Sequence, residues 1–268
     1  MINAGVLGSP IAHSLSPLLH TTAYKALAIK GEYKAYEVAS GGLENFLLNQ
    51  GKSLNCLSLT MPLKEEALTI ADHVSTISSQ IASGNTLHKE EDGWHLTSTD
   101  VEGFSFALAG AGNLSTQTVL IIGAGATARA VAAACNREAT SITVVGRSTS
   151  RHESIRQSAA NTSITFVDWD TKLDLDSFDL VVNTTPADTA AVFLDRVNAP
   201  QGVFFEVIYN PWPTALLNRW KQVGGSYVDG LDLLIHQAIS QIEIFSGQEV
   251  DRLSMAQLLR SEGLKALH

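Results

Sequence analysis

Lys64 sits where the stretch Leu57-Ser58-Leu59-Thr60-Met61-Pro62-Leu63-Lys64 turns from a short apolar strand into a helical run. Pro62 fixes its own φ, has no N–H to give a ladder and pushes Met61 toward extended backbone, so the strand must end there. An amine at such a corner has little room to wander and can point into a cleft, where it would give or take a proton. Taken alone, the octet fits a solvated lysine paired with neighbouring glutamates better. Other polar residues raise the stakes. Ser14 follows His13 in a loop directly after a strand, a place where small anions are held, and Ser16 precedes Pro17 at a helix start, where its simplest role is an N-cap. Asn85 opens one arm of a hairpin and Asp100 follows the other, so both can face one cleft, although a turn residue and an N-cap are the commoner fates of each. Gln237 lies beside the apolar stripe of a late helix, either as a satisfied polar residue or as a ligand contact.

A second group of residues reads as a phosphate cradle. Val119 to Ile122 is a continuous apolar strand of the kind a doubly covered parallel sheet requires. It runs straight into Gly123-Ala124-Gly125-Ala126-Thr127-Ala128 and then into a helix reaching about Arg137, which is the G-x-G-x-x-A fingerprint in its required setting. The glycines allow the tight turn and close backbone approach, and the helix N-terminus offers free N–H groups to a pyrophosphate. The next strand, Ile142 to Val145, ends at Gly146-Arg147-Ser148-Thr149-Ser150-Arg151. NAD sites usually carry a carboxylate there for the ribose 2′-hydroxyl; Arg147, Ser148 and Arg151 stand in its place and suit a 2′-phosphate, so the cofactor expected is NADP(H). The polar loop Asn183 to Asp188, which includes Thr184, follows another strand end where such sheets hold ligands.

The elements that must position these groups follow in order. Strands are expected at Asn3–Gly8, Lys34–Val38 and Cys56–Thr60, with helices from Ser16, over Leu43–Leu48 and over about Ala71–Ile81. The hairpin turns at Glu91-Asp92-Gly93. After the nucleotide segment come strands at Ile164–Val167, Leu180–Val182, Val203–Val207 and Ser226–Val228, and a helix capped by Thr214. A long helix is marked by Leu231, Leu234, Ile235, Ala238, Ile242 and Phe245 and ended by Gly247, and a capping-box pattern at Ser254 to Gln257 opens the last helix. The class is α/β: an N-terminal α/β substrate domain with a mostly parallel sheet, residues 1–101 completed by 237–268, a Rossmann-type dinucleotide domain at 102–236, and a cleft between them. With 268 residues and 45% hydrophobic content the chain can core both. The net charge of −9 argues against nucleic-acid and anionic-membrane partners, so an anionic ligand has to be held by a few local groups. Cys56 and Cys135 sit in apolar surroundings without metal-ligand spacing, which predicts buried, reduced thiols, no metal and a cytoplasmic protein. Neither a signal peptide nor a membrane segment is expected.

Taken together, these motifs resemble the shikimate dehydrogenase family over nearly the whole chain. Gly8 to Pro17 is similar to the family's substrate-carboxylate loop, in which Ser14 and Ser16 bind the carboxylate; Thr60 to Lys64 to the segment with the catalytic lysine; and Asn85-Thr86-Leu87 and Thr99-Asp100 to the segments that bind ring hydroxyls. Gly123 to Arg129 and Arg147 to Arg151 resemble the nucleotide loop and the NADP-type arginine segment, and Tyr209, Asp229-Gly230-Leu231 and Gln237 the C-terminal contacts. The chain departs from the family at Thr21, Ser58 and Ser98, where Asn is frequent, at Ala126 in place of Gly, and at Asp232-Leu233 in place of a Gly-Met pair. The resemblance implies reversible NADPH-dependent reduction of 3-dehydroshikimate to shikimate in aromatic amino acid biosynthesis. Catalysis falls to Lys64 and Asp100. Ser14, Ser16, Thr60, Asn85, Tyr209 and Gln237 hold the substrate, and Gly123, Ala124, Gly125, Ala126, Thr127, Arg147, Ser148, Arg151, Thr184 and Gly230 hold the cofactor. The assembly implied is a monomer or homodimer. The alternatives are a quinate/shikimate dehydrogenase of broader substrate or cofactor use and a non-catalytic NADPH-binding protein on the same fold.

Overall fold

The computed structural model describes residues 1–112 and 116–267, in two compact units: Met1–Gly103 with Leu234–His268, and Phe104–Leu233. His268, the last residue of the expected C-terminal segment, and residues 113–115 lie outside the described residues.

The first unit holds a six-stranded sheet built from β1 (Ile2–Gly8), β2 (Gly31–Glu37), β3 (Cys56–Leu59), β4 (His73–Val74), β5 (Thr86–Glu90) and β6 (Gly93–Thr97), in the order β2-β1-β3-β5-β6-β4. The pairs β1–β2, β1–β3 and β4–β6 are parallel and β3–β5 and β5–β6 antiparallel. β1 and β3 are buried almost throughout because they are central strands covered on both faces. Leu7, Leu57, Leu59, Leu63, Leu87 and Leu96 share one core cluster, so the residues just before the Lys64 corner are anchored in it. Such anchoring is worth roughly 1.5–3 kcal/mol for each fully buried aliphatic side chain.

Three local expectations are corrected. The helix expected over Ala71–Ile81 is only Thr76–Gln80, capped by the Ser75 hydroxyl, because His73 and Val74 are drawn into the sheet beside β6. Ser16 is the first residue of the helix Ser16–Ala26, not its cap; Leu15 holds that place and makes no side-chain cap bond. The final helix begins at Arg252, and Asp251 is the acceptor, taking bonds from the Ser254 N–H and hydroxyl at 3.3 and 2.6 Å.

The second unit is an all-parallel sheet of β7 (Thr118–Ile122), β8 (Ser141–Gly146), β9 (Ser163–Asp168), β10 (Leu180–Asn183), β11 (Val203–Glu206) and β12 (Ser226–Val228), in the order β12-β11-β10-β7-β8-β9. The continuous apolar run of β7 is explained by its two faces: Val119 and Ile121 enter one core cluster, Leu120 and Ile122 another. Thr214 caps Ala215–Gln222 as expected, accepting from the Leu217 N–H at 3.3 Å.

Candidate active site

In the first unit the corner after β3 delivers Lys64 in the short helix Leu63–Glu66. The Lys64 carbonyl accepts from the Gly84 N–H at 2.9 Å, which ties this helix to the segment leading into β5. The Lys64 side chain pairs with Asp100. Its Nζ lies 2.6 Å from Asp100 Oδ2, with the lysine side chain 18% exposed and the aspartate 9%. Asp100 begins the helix Asp100–Gly110, and its own N–H faces the Ser98 hydroxyl at 3.4 Å, so its carboxylate is left for other partners.

Asn85 organises the rest. Its Oδ1 accepts from the Thr99 backbone N–H at 2.8 Å, and because that N–H can only donate, the orientation of the amide is fixed. Nδ2 therefore faces Asp100 Oδ1 at 2.9 Å and Gln237 Oε1 at 3.2 Å. Gln237 reaches this point because its backbone comes close to Gly103, where a Cβ would stand 2.8 Å from the Gln237 N. Lys64, Asn85, Asp100 and Gln237 thus form one bonded cluster in which a cation, a carboxylate and two amides converge.

Beneath the cluster lies a residue that sequence reading missed. Gln241, one helical turn beyond Gln237, donates from Nε2 to the Asn85 carbonyl and to Thr86 Oγ1 at 3.1 and 3.0 Å. Its Oε1 accepts from Ser58 Oγ at 2.7 Å and faces His20 Nε2 at 3.3 Å. Ser58 in turn accepts from Tyr33 Oη at 2.6 Å, and Ser16 is also a hydrogen-bond partner of that phenol. Burial holds the His20 imidazole down to about 3, so it is neutral in the fold. The only advance signal for Gln241 was its i+4 spacing from Gln237 on the same helix face. Ser58, one of the departures from the family pattern, is thereby fully used.

Ser14 lies in the loop after β1 and Ser16 opens the helix that follows, where the Ser16 N–H donates to Ser14 Oγ at 3.3 Å. The loop is held by Glu37, which accepts from Ser9 Oγ and the Ile11 N–H at 2.5 and 3.0 Å. The Ser9 N–H donates to the Met61 carbonyl and the Thr60 N–H to the Leu7 carbonyl, both at 2.9 Å, so the serine loop and the Thr60 corner are joined through backbone.

In the second unit the turn after β7 places Gly123 at φ +111°, and a Cβ there would meet Thr184 Oγ1 at 2.4 Å. Thr184 Oγ1 donates to the Ile122 carbonyl at 2.9 Å, which locks β10's end against the glycine turn. A Cβ on Gly125 would meet nothing within 4 Å, and the helix Ala126–Cys135 that follows has no side-chain cap. The first N–H groups of this helix, around Ala126 and Thr127, therefore lack a side-chain cap beside the open space at Gly125. At the end of β8 the Arg147 guanidinium lies over the Trp169 ring at 5.8 Å, and the Ser148 hydroxyl caps the single turn Thr149–Arg151. Tyr209 is half-buried in the loop after β11. Gly230 packs on that loop, since a Cβ there would stand 2.5 Å from the Val207 carbonyl. Sequence reading also missed a buried cluster here. Glu206 accepts from Asn183 Nδ2 with both oxygens at 3.1 Å and from Thr214 Oγ1 at 2.6 Å, and burial pushes its carboxyl above the usual range.

Residues 6–87 match the model of the shikimate dehydrogenase substrate binding domain and residues 105–202 that of shikimate / quinate 5-dehydrogenase. The shikimate dehydrogenase (NADP(+)) of Hyphomonas neptunium is 33% identical over 250 residues, 92% of this chain and 92% of the relative. The chain belongs to the shikimate dehydrogenase family. The crystal structure of Mycobacterium tuberculosis shikimate dehydrogenase has a TM-score of 0.87 at 32% identity, covering 97% of this chain and 99% of that one. A shikimate 5-dehydrogenase from Thermus thermophilus, solved in complex with NADP(H) and shikimate, has a TM-score of 0.84 at 28% identity, covering 98% and 100%. Among the described residues no helix is long and apolar enough to cross a membrane. As a member of the shikimate dehydrogenase family, the chain carries its own Lys64–Asp100 pair and its own glycine turn, on two separate units.

Proposed function

We propose that this protein is an NADP-dependent shikimate dehydrogenase that reversibly reduces 3-dehydroshikimate to shikimate. The observation that carries the reading is the Lys64–Asp100 contact of 2.6 Å, with Asn85 bonded to the same carboxylate. It is supported by the family membership and by the relatives whose printed names give NADP(+) and shikimate.

The nucleotide loop fits the cofactor on the chain's own geometry: open space above Gly125, an uncapped helix N-terminus beside it, and an arginine in place of a carboxylate after β8. Gly123, Ala124, Gly125, Ala126 and Thr127 would hold the pyrophosphate, Arg147, Ser148 and Arg151 the 2′-phosphate, and Thr184 and Gly230 the remainder. When bound, NADP(H) supplies or accepts the hydride at the ring carbon.

The chain's own residues handle the proton and the pose. Lys64 Nζ gives a proton to the carbonyl oxygen in the direction of reduction and takes it back in oxidation. Asp100 Oδ2 holds that amine in place, and Asn85, Thr60 and Gln237 orient the ring. Ser14, Ser16 and Tyr209 bind the carboxylate with a few local donors, as a chain of net charge −9 requires. Two free, buried cysteines suit a reducing cytoplasm.

The test is a spectrophotometric panel of shikimate and quinate, each with NADP⁺ and NAD⁺. Turnover highest with shikimate and NADP⁺ is expected; quinate as the better substrate would move the protein to the broader activity, and no turnover with either acid would remove the reading.

A further inference from the structure

Three histidines stand side by side at the edge of the N-terminal sheet, outside everything used above. Cross-strand register places His73 of β4 opposite His95 of β6, and His95 opposite His88 of β5, so all three project from one face. The His73 and His95 rings stack with centroids 4.3 Å apart, and those of His88 and His95 are 5.6 Å apart. The hairpin turn then brings a carboxylate between the first two. Asp92 Oδ2 lies 3.0 Å from His73 Nε2 and Asp92 Oδ1 2.7 Å from His95 Nε2. Glu90 faces His88 Nε2 at 2.9 Å and His95 Nε2 at 3.9 Å.

A single exposed histidine–carboxylate pair is common and worth little. Here one carboxylate is shared by two imidazoles through their Nε2 atoms, and these ligand atoms lie within 4.8 Å of one another. The backbone is also tied on both sides of His73. Asp72 Oδ2 accepts from the Trp94 N–H at 2.8 Å, and the Ser75 N–H donates to the Leu96 carbonyl at 2.9 Å. Gly93, at φ +130°, makes the turn beside Asp72, where a Cβ would meet Asp72 Oδ2 at 2.3 Å. The neighbouring cation, Lys89, pairs with Trp94 at an alternate register position and so lies on the opposite face, over the indole ring.

We propose that His73, Asp92 and His95 bind one divalent transition-metal ion of the imidazole-preferring class, with Zn²⁺ the representative. Two imidazole nitrogens and one carboxylate oxygen are the protein ligands, and solvent completes the tetrahedron. His88 and Glu90 stand beside the ion without being required. Both histidines must give up any proton to bind. The ion competes with protons for both imidazoles, which stand among the carboxylates of Asp92 and Glu90, so affinity rises with pH. The ion would clip the two-residue edge strand β4 to the β5–β6 hairpin. Asp92 and His95 are three residues apart on the hairpin and His73 lies on a separate strand, so the sequence spacing shows the pair but not the third ligand.

The test is calorimetric titration of Zn²⁺ into the untagged full-length protein near neutral pH. One saturable site is expected, weakened at least ~10-fold by either His73→Gln or His95→Gln and changed by less than ~3-fold in His88→Gln. Zn²⁺ should raise the thermal transition of the wild type and not of His95→Gln. The His73 side chain is 48% exposed, so its replacement leaves the fold intact even if the His95 variant is impaired. Absence of saturable binding in the wild type overturns the proposal. So does unchanged affinity in both variants, or a loss in His88→Gln as large as in His73→Gln.

Discussion

Replacing Lys64 with Met keeps most of the aliphatic stem and removes the ammonium, so it separates chemistry from packing. The structure sets two magnitudes. For stability, breaking a buried ion pair by deleting one partner costs ~3–5 kcal/mol at most. Asp100 keeps a bond from Asn85 Nδ2 at 2.9 Å, and the lysine it loses was already 18% exposed, so the cost here should be nearer ~1–3 kcal/mol. For catalysis, loss of a positioned proton donor lowers kcat by ~10²–10⁴-fold, equivalent to ~2.7–5.4 kcal/mol of barrier. The carboxylate-binding serines and the nucleotide loop are untouched, so KM for shikimate and for NADP⁺ should stay within ~3-fold. Steady-state kinetics in both directions, with urea unfolding of the same preparation, read the two effects separately. A variant with kcat within ~3-fold of wild type would refute the proton-transfer role, and so would a rate loss seen only in KM. Asp100→Asn gives the internal check. It leaves the more exposed partner uncompensated, so it should cost less stability than Lys64→Met while still lowering kcat.

Arg147→Ala should raise KM for NADPH by ~10–100-fold, the loss of one charge-assisted phosphate contact, and leave KM for NADH nearly unchanged; equal losses in coenzyme kinetics would overturn the cofactor assignment. Gln241→Leu strips partners from Ser58, His20, Thr86 and the Asn85 carbonyl together, and should cost ~2–4 kcal/mol in chemical denaturation; a loss below ~0.5 kcal/mol would show that the network carries no weight. His20 is held down to about 3 in the fold and titrates near its ordinary value of 6.5 when unfolded. The unfolded chain therefore binds more protons between those values, so this contribution to stability is complete above pH ~6.5 and is lost as pH falls toward ~3. His236, held down to about 4, adds the same sign, and urea midpoints of wild type and His20→Phe across this range should converge at low pH.

Local grammar made much of this protein readable and tertiary pairing made the rest invisible. The apolar run at Val119–Ile122, the glycine turn and the Thr214 cap are determined within a few residues of themselves, and they form where expected. Pro62 likewise announced the corner that carries Lys64. Its partner Asp100 is 36 residues away, and nothing in the local sequence says that the two amine–carboxylate atoms meet. Gln241 lies 155 residues from the Thr86 hydroxyl it holds, so only its helical spacing from Gln237 was available in advance. The misjudged helix at Ala71–Ile81 has the same origin. Local periodicity favours helix there, and the sheet edge wins His73 and Val74 by pairing with residues over twenty positions on. The displaced caps at Ser16 and Ser254 are smaller errors of a different kind. Each serine sits near a helix start, and which nearby residue caps depends on the backbone angle at the entry.

The return of Leu234–His268 to the first unit has a consequence for the order in which the protein is made. A ribosome delivers Lys64, Asn85 and Asp100 early, yet Gln237 and Gln241, which bond to Asn85, emerge only after all of Phe104–Leu233. At typical synthesis rates that interval is on the order of ten seconds. During it the contiguous second unit can fold, while the Asn85 and Ser58 groups that later meet Gln237 and Gln241 lack those partners. The arrangement at Lys64 is therefore completed last, by the final helices, and a chain truncated between Leu233 and Gln237 would have a nucleotide unit without a finished proton-transfer site.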